Sequence, residues 1–173
     1  GNGIVDSSEN SISKRYGWND EFARKFRLKY LPIQMKECPL MPYAKETLQK
    51  LKDRGHKIII ITSRGSVDES HIEITRQRLK QDKIPFDELY FSKENKVNTC
   101  KNKGIDIMVD DTPGVIEQLA NNNIRCLYFK NGSTKDIFNN NVKTVLNFGE
   151  VFRQIYNLEK QKLIEDNYEK SYI

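Results

Sequence analysis

Asp110 and Asp111 close a short apolar run, Ile105-Asp106-Ile107-Met108-Val109, and are followed by Thr112 and Pro113. Four to eight largely apolar residues bounded by turn signals read as a buried strand of a parallel sheet, and the proline suits the first turn of a helix. In open α/β sheets, ligands sit beyond the carboxyl ends of the strands, where these two acids fall. Neighbouring carboxylates in such a place repel each other and lose hydration, which calls for a hard cation, Mg²⁺ first. The plainer alternative is that one acid caps the next helix while the other is solvated.

A second strand end has a different chemistry. Lys57-Ile58-Ile59-Ile60-Ile61 runs into Thr62, Ser63 and Arg64. Two hydroxyls and a guanidinium, with backbone N–H groups and a helix N-terminus nearby, suit a phosphate. Taken alone, the stretch reads more simply as hydroxyls capping the next helix beside a surface arginine. After the strand-like Leu89-Tyr90-Phe91 comes Ser92-Lys93-Glu94-Asn95-Lys96-Val97. A lysine at the start of a helix meets an unfavourable helix dipole, so an anion explains Lys96 better than the helix does.

Thr62 after its isoleucine run, Lys96 ten residues before Asp106, and Asp110-Asp111 after Ile107-Met108-Val109 stand in the order of the second, third and fourth motifs of the haloacid dehalogenase superfamily. The chain resembles that superfamily across residues 11–150. The text around Pro39-Leu40-Met41-Pro42-Tyr43-Ala44-Lys45 and Tyr16-Gly17-Trp18-Asn19-Asp20-Glu21-Phe22 is similar to its nucleotidase branch, related to 5′(3′)-deoxyribonucleotidases. The resemblance implies a Mg²⁺-dependent phosphohydrolase acting on a small phosphorylated substrate, a nucleoside monophosphate or a sugar phosphate, through an aspartyl-phosphate. It assigns Thr62 and Lys96 to catalysis, Thr62, Ser63, Arg64 and Lys96 to phosphate binding, and Asp110 and Asp111 to the metal. The first motif, Asp-x-Asp ending an opening strand, is absent, and with it the nucleophile. Asp6 after Ile4-Val5 is a poor substitute, because the position two residues on is Ser8.

Composition narrows the class. The 173 residues suit one domain that buries roughly two thirds of its unfolded surface. With 31% charged and 37% apolar residues the chain is globular, and no apolar run approaches the ~20 residues of a membrane span. Cys38, Cys100 and Cys126 lack metal-ligand spacing, which predicts reduced thiols in a cytoplasmic protein. Net charge is +5, from 29 bases against 24 acids spread along the chain. That balance attracts phosphate esters, and without a localised basic cluster a nucleic-acid partner is the weaker reading.

The pattern predicts an α/β fold with a Rossmann-like parallel sheet and helices on both faces. Residues 1–38 read as a remnant of a small helical cap with its linker, 39–160 as the core and 161–173 as a charged tail. Trp18, Phe22, Phe26 and Tyr30 recur every four residues, one aromatic face of a helix over 11–30. Core packing explains that face; by resemblance some rings would also stack on a nucleobase. Pro32 and Pro39 mark a connection, and helix signals resume at Pro42. Further helices are expected over 68–81, 94–103 and 113–121 and around 151–158, with strands at 57–62, 89–91, 105–110, 124–129 and 142–146. His56 reads as a surface or locally bonded histidine and His71 as structural or exposed, neither as a ligand.

In the superfamily's sheet, the first-motif strand lies between the strands bearing the second and fourth motifs, here 57–62 and 105–110. Each unpaired buried backbone group costs about 1–3 kcal/mol. The expectation is therefore that some 20 to 40 upstream residues complete the sheet, or that a partner fills the slot. Three readings compete: a phosphohydrolase completed by such a strand, a non-catalytic relative that binds phosphate or protein, and a receiver-like domain. The last carries its acid pair first and its lysine last, the reverse of the order here.

Overall fold

The computed structural model describes residues 3–7, 11–65, 68–91, 96–132 and 134–170, the last five as backbone alone. Among these residues the chain order is α1 (Ile12–Tyr16), α2 (Asp20–Glu37), α3 (Ala44–Asp53), β1 (Ile59–Thr62), α4 (Ser70–Gln81), β2 (Glu88–Phe91), α5 (Lys96–Lys103), β3 (Ile107–Asp110), α6 (Pro113–Asn121), β4 (Arg125–Phe129), β5 (Val142–Val145) and α7 (Phe148–Lys170). All strand pairings are parallel, giving the mixed, Rossmann-like α/β fold that alternating strands and helices demand.

The strands form two sheets. β1 pairs with β2, and β3 pairs with β4, which pairs in turn with β5. Among the described residues, β1 and β3 each keep one open edge. They are nonetheless parts of one core, because Ile61 of β1, Val97 and Cys100 of α5, Met108 of β3 and Ile116 of α6 share a buried cluster.

Period-two alternation decides which side chain meets which layer. Along β4, Cys126 and Tyr128 join the α5–α6 side, whereas Leu127 and Phe129 face Val151 and Ile155 of α7. Along β3, Met108 points toward α5, and Ile107 and Val109 point toward α7. Asp110 shares the parity of Met108 and so emerges on the α5 side.

Several local expectations change in three dimensions. The aromatic segment is two helices, because Gly17 adopts a left-handed conformation (φ 62°) and ends α1 with its N–H donating back to Lys14 and Ser13 carbonyls. Asn19 then caps α2, accepting the Phe22 N–H at 2.8 Å. Pro32 lies inside α2 and does not end it. The next turn holds buried Met35, and the Lys36 carbonyl accepts from Arg78 of α4, so docking on α4 carries the helix past the proline. Tyr43, at φ 62°, delays α3 to Ala44. The charged segment after Lys160 continues α7 to Lys170. Of the helix foreseen over 94–103, residues 94 and 95 lie outside the described residues. Gly104 ends it as expected, at φ 60°.

A clamp joins α3 to α7 across the back of the sheet. Glu159 accepts from Arg54 Nε at 3.1 and 3.0 Å and lies 2.5 Å from His56 Nε2, and Arg54 also stacks on Tyr156. Arg54's hydrogen bond, helped by His56, holds the Glu159 carboxyl below its ordinary value against partial desolvation. A depressed folded value means that this stabilisation is present above the unfolded value of about 4.3 and is lost as pH falls through the folded one. Glu159→Gln should therefore flatten the decline in thermal midpoint between about pH 5 and pH 3. A decline as steep as the parent's would show that the clamp does not titrate with folding.

Candidate phosphate and metal site

The structure joins two of the six predicted site residues directly. Lys96 Nζ, at the first position of α5, lies 2.5 Å from Asp110 Oδ2 at the end of β3. Their side chains are 15% and 6% exposed, so this is an inward ion pair and not a surface one. The other oxygen, Oδ1, accepts the Thr112 N–H at 2.9 Å as the chain turns into α6. Asp110 thus closes the turn before α6 through one oxygen and faces the Lys96 ammonium through the other. The anion inferred for Lys96 is present within the protein itself.

The neighbourhood of the pair is dry on its inner side. Cys100 and Cys126 are buried beneath it, and both thiols are pushed up, Cys126 to about 12, chiefly by burial. The charge of Asp110 acts on both in the same direction, while Lys96 opposes it at Cys100. All three cysteines are free thiols.

Asp111 is exposed, with the Thr112 hydroxyl donating to it at 3.4 Å. Thr62 is half-buried at the end of β1, and its Oγ1 accepts the Arg64 N–H at 3.2 Å. Ser63 and Arg64 are exposed just beyond it. The capping role offered for Thr62 and Ser63 falls to Asp68, whose carboxylate accepts the Ser70 N–H as α4 begins. Arg64's guanidinium is held below its ordinary value by lost hydration, with Arg78 adding to the effect and Cys38 opposing it. Among the described residues, no hydrogen bond or ion pair links Thr62, Ser63 or Arg64 to Lys96 or Asp110. No group of three or more His, Cys, Asp or Glu poised for a metal occurs among the described residues either.

A pocket of about 500 Å³ opens beside the acids. Met41, Val109, Phe129, Leu146 and Phe148 line it together with Asp110, Asp111, Lys130, Asn131 and Gly132. Sequence reading missed this group. The signal was available: Phe129-Lys130-Asn131-Gly132 ends β4 just as Asp110-Asp111 ends β3, and strand ends of one parallel sheet open on one crevice.

Over part of its length the chain is similar to two curated proteins, each named "putative nucleotidase". One, from Oceanobacillus iheyensis, is 33% identical over 99 residues, 55% of this chain and 51% of the relative. The other, from Bacillus cereus, is 34% identical over 91 residues, 50% of this chain and 47% of the relative. The chain spans about half the length of the curated relatives it matches. No protein-family model matches it, and no solved structure does. No described helix is long and apolar enough to cross a membrane.

Proposed function

We propose that this chain forms the core of a haloacid dehalogenase-type, Mg²⁺-dependent phosphohydrolase that acts on nucleoside monophosphates. The observation that carries the reading is the inward Lys96–Asp110 pair at the carboxyl end of β3, with Asp111 beside it, in a chain similar to proteins named as nucleotidases. Lys96 holds the phosphoryl oxygens and neutralises charge that develops on them. Thr62, with Ser63 and Arg64, hydrogen-bonds the same group from the end of β1.

The donor set fits the metal. Asp110 and Asp111 are hard carboxylates on adjacent residues, and Mg²⁺ is commonly held by one or two carboxylates plus substrate phosphate and water. Bound there, Mg²⁺ would supply positive charge against the transferring phosphoryl group.

The attacking aspartate comes from a strand that completes the sheet between β1 and β3. Their open edges support this, since a parallel sheet pairs its interior edges. A carboxylate oxygen of that residue bonds to phosphorus as the ester P–O bond breaks, and the leaving alkoxide takes a proton from the carboxyl group of the second aspartate on the same strand. Water then cleaves the aspartyl-phosphate, releasing inorganic phosphate and restoring the carboxylate.

A non-catalytic phosphate-binding role is favoured by one observation: among the described residues, Asp110 is the only carboxylate paired with Lys96. The protein expressed from its complete reading frame should release phosphate from a nucleoside monophosphate, stop on addition of EDTA and recover with Mg²⁺. Saturable binding of phosphate without release would favour the non-catalytic role, and neither binding nor release would overturn both.

A further inference from the structure

We propose that the pocket between the ends of β3 and β4 and the start of α7 receives the heteroaromatic base of the nucleoside. This deepens the nucleotidase reading and rests on it for the phosphate end of the ligand. The volume of about 500 Å³ lies in the range of small-molecule sites and exceeds what a phosphate alone would occupy.

Its wall is apolar and partly aromatic. Phe129 and Phe148 meet at 5.3 Å between ring centroids, inclined by 50°. At the mouth, Leu146 is 61% and Met41 50% exposed, two large apolar side chains left in water beside one opening. A flat ring covers such surface at little cost in its own freedom. The lining also carries polar groups, among them the Asn131 amide, able both to donate and to accept along a base edge. Asp110 and Asp111 line the same space, so a ligand lying in it places its polar end at the acids and its apolar part against the rings.

The aromatic row on α1 and α2 is the competing platform, and its rings are already engaged with one another. Tyr16 stacks on Trp18, Trp18 meets both Phe22 and Phe26, and Phe26 meets Tyr30. Phe129 and Phe148 likewise meet each other and pack with Leu127, Val145 and Val151, but beside them Leu146 and Met41 stay exposed at the opening.

Trp18 is the single tryptophan, which separates the two platforms experimentally. Adenosine and inorganic phosphate would each be titrated into the full-length protein by calorimetry, with Trp18 fluorescence followed in parallel. Adenosine binds, Trp18 emission stays within a few per cent, and in Met41→Ala with Leu146→Ala the ratio of phosphate affinity to adenosine affinity rises about tenfold. Quenching of Trp18 by adenosine, or an unchanged ratio in the double variant, would overturn the assignment. Phosphate binding without adenosine binding would overturn it too, while leaving the phosphohydrolase reading intact. Adenosine binding that responds to the double variant, in a protein that ignores phosphate and Mg²⁺, would support the pocket and sink that reading.

Discussion

Lys96→Met lowers the unfolding free energy by about 3 kcal/mol, because it leaves the largely buried Asp110 carboxylate without the ammonium that offsets its lost hydration. That carboxylate is 6% exposed, and among the described residues its remaining hydrogen-bond partner is the Thr112 N–H. Removing one member of a buried pair costs more than the pair contributes, since the survivor's desolvation is left uncompensated. In urea the midpoint should fall by about 1–2 M at unchanged slope. Adding Asp110→Leu to Lys96→Met should recover part of the loss, because the stranded charge goes with it. A fall below about 1 kcal/mol for the single variant would mean that the pair behaves as a solvated surface bridge, and the inward site would have to be abandoned.

The second large effect concerns chemistry. In the protein from its complete reading frame, Asp110→Asn together with Asp111→Asn should reduce Mg²⁺-dependent phosphate release at least ~1,000-fold, about 4 kcal/mol of transition-state stabilisation. Asparagine keeps an oxygen for the Thr112 N–H, so the turn into α6 survives while the charge is lost. Release measured well below the variant's unfolding temperature, with Mg²⁺ varied, separates weakened metal affinity from a lost chemical step. Activity at the parent's level would refute the assignment of these acids.

How much was legible in advance depends on the range of the force involved. The strand ending at Asp110, the helix over 113–121, the Gly104 stop and the β4 run follow from apolar periodicity and terminal signals, which act within a few residues. Boundaries failed where a distant partner intervened. Pro32 reads as a break, yet α2 passes through it because Met35 is buried and the Lys36 carbonyl finds a partner on α4, more than thirty residues further along the chain. Gly17 went the other way, its left-handed turn dividing one aromatic pattern between two helices.

The candidate site divides along the same line. Strand-end position and side-chain type marked out Thr62, Lys96, Asp110 and Asp111, since a parallel sheet presents its carboxyl ends to ligands whatever the rest of the chain does. Only the packed molecule decided that Asp110 turns toward α5 and meets Lys96 while Asp111 faces solvent. That outcome depends on the parity of β3 against two different layers. The pocket under Met41 and Leu146 was likewise out of reach, because its walls come from four segments that meet only when β3, β4 and α7 are in register. Local pattern supplies the elements and the chemistry they carry; which of those groups share a space is set by burial summed over the whole core, a quantity no short stretch of residues contains.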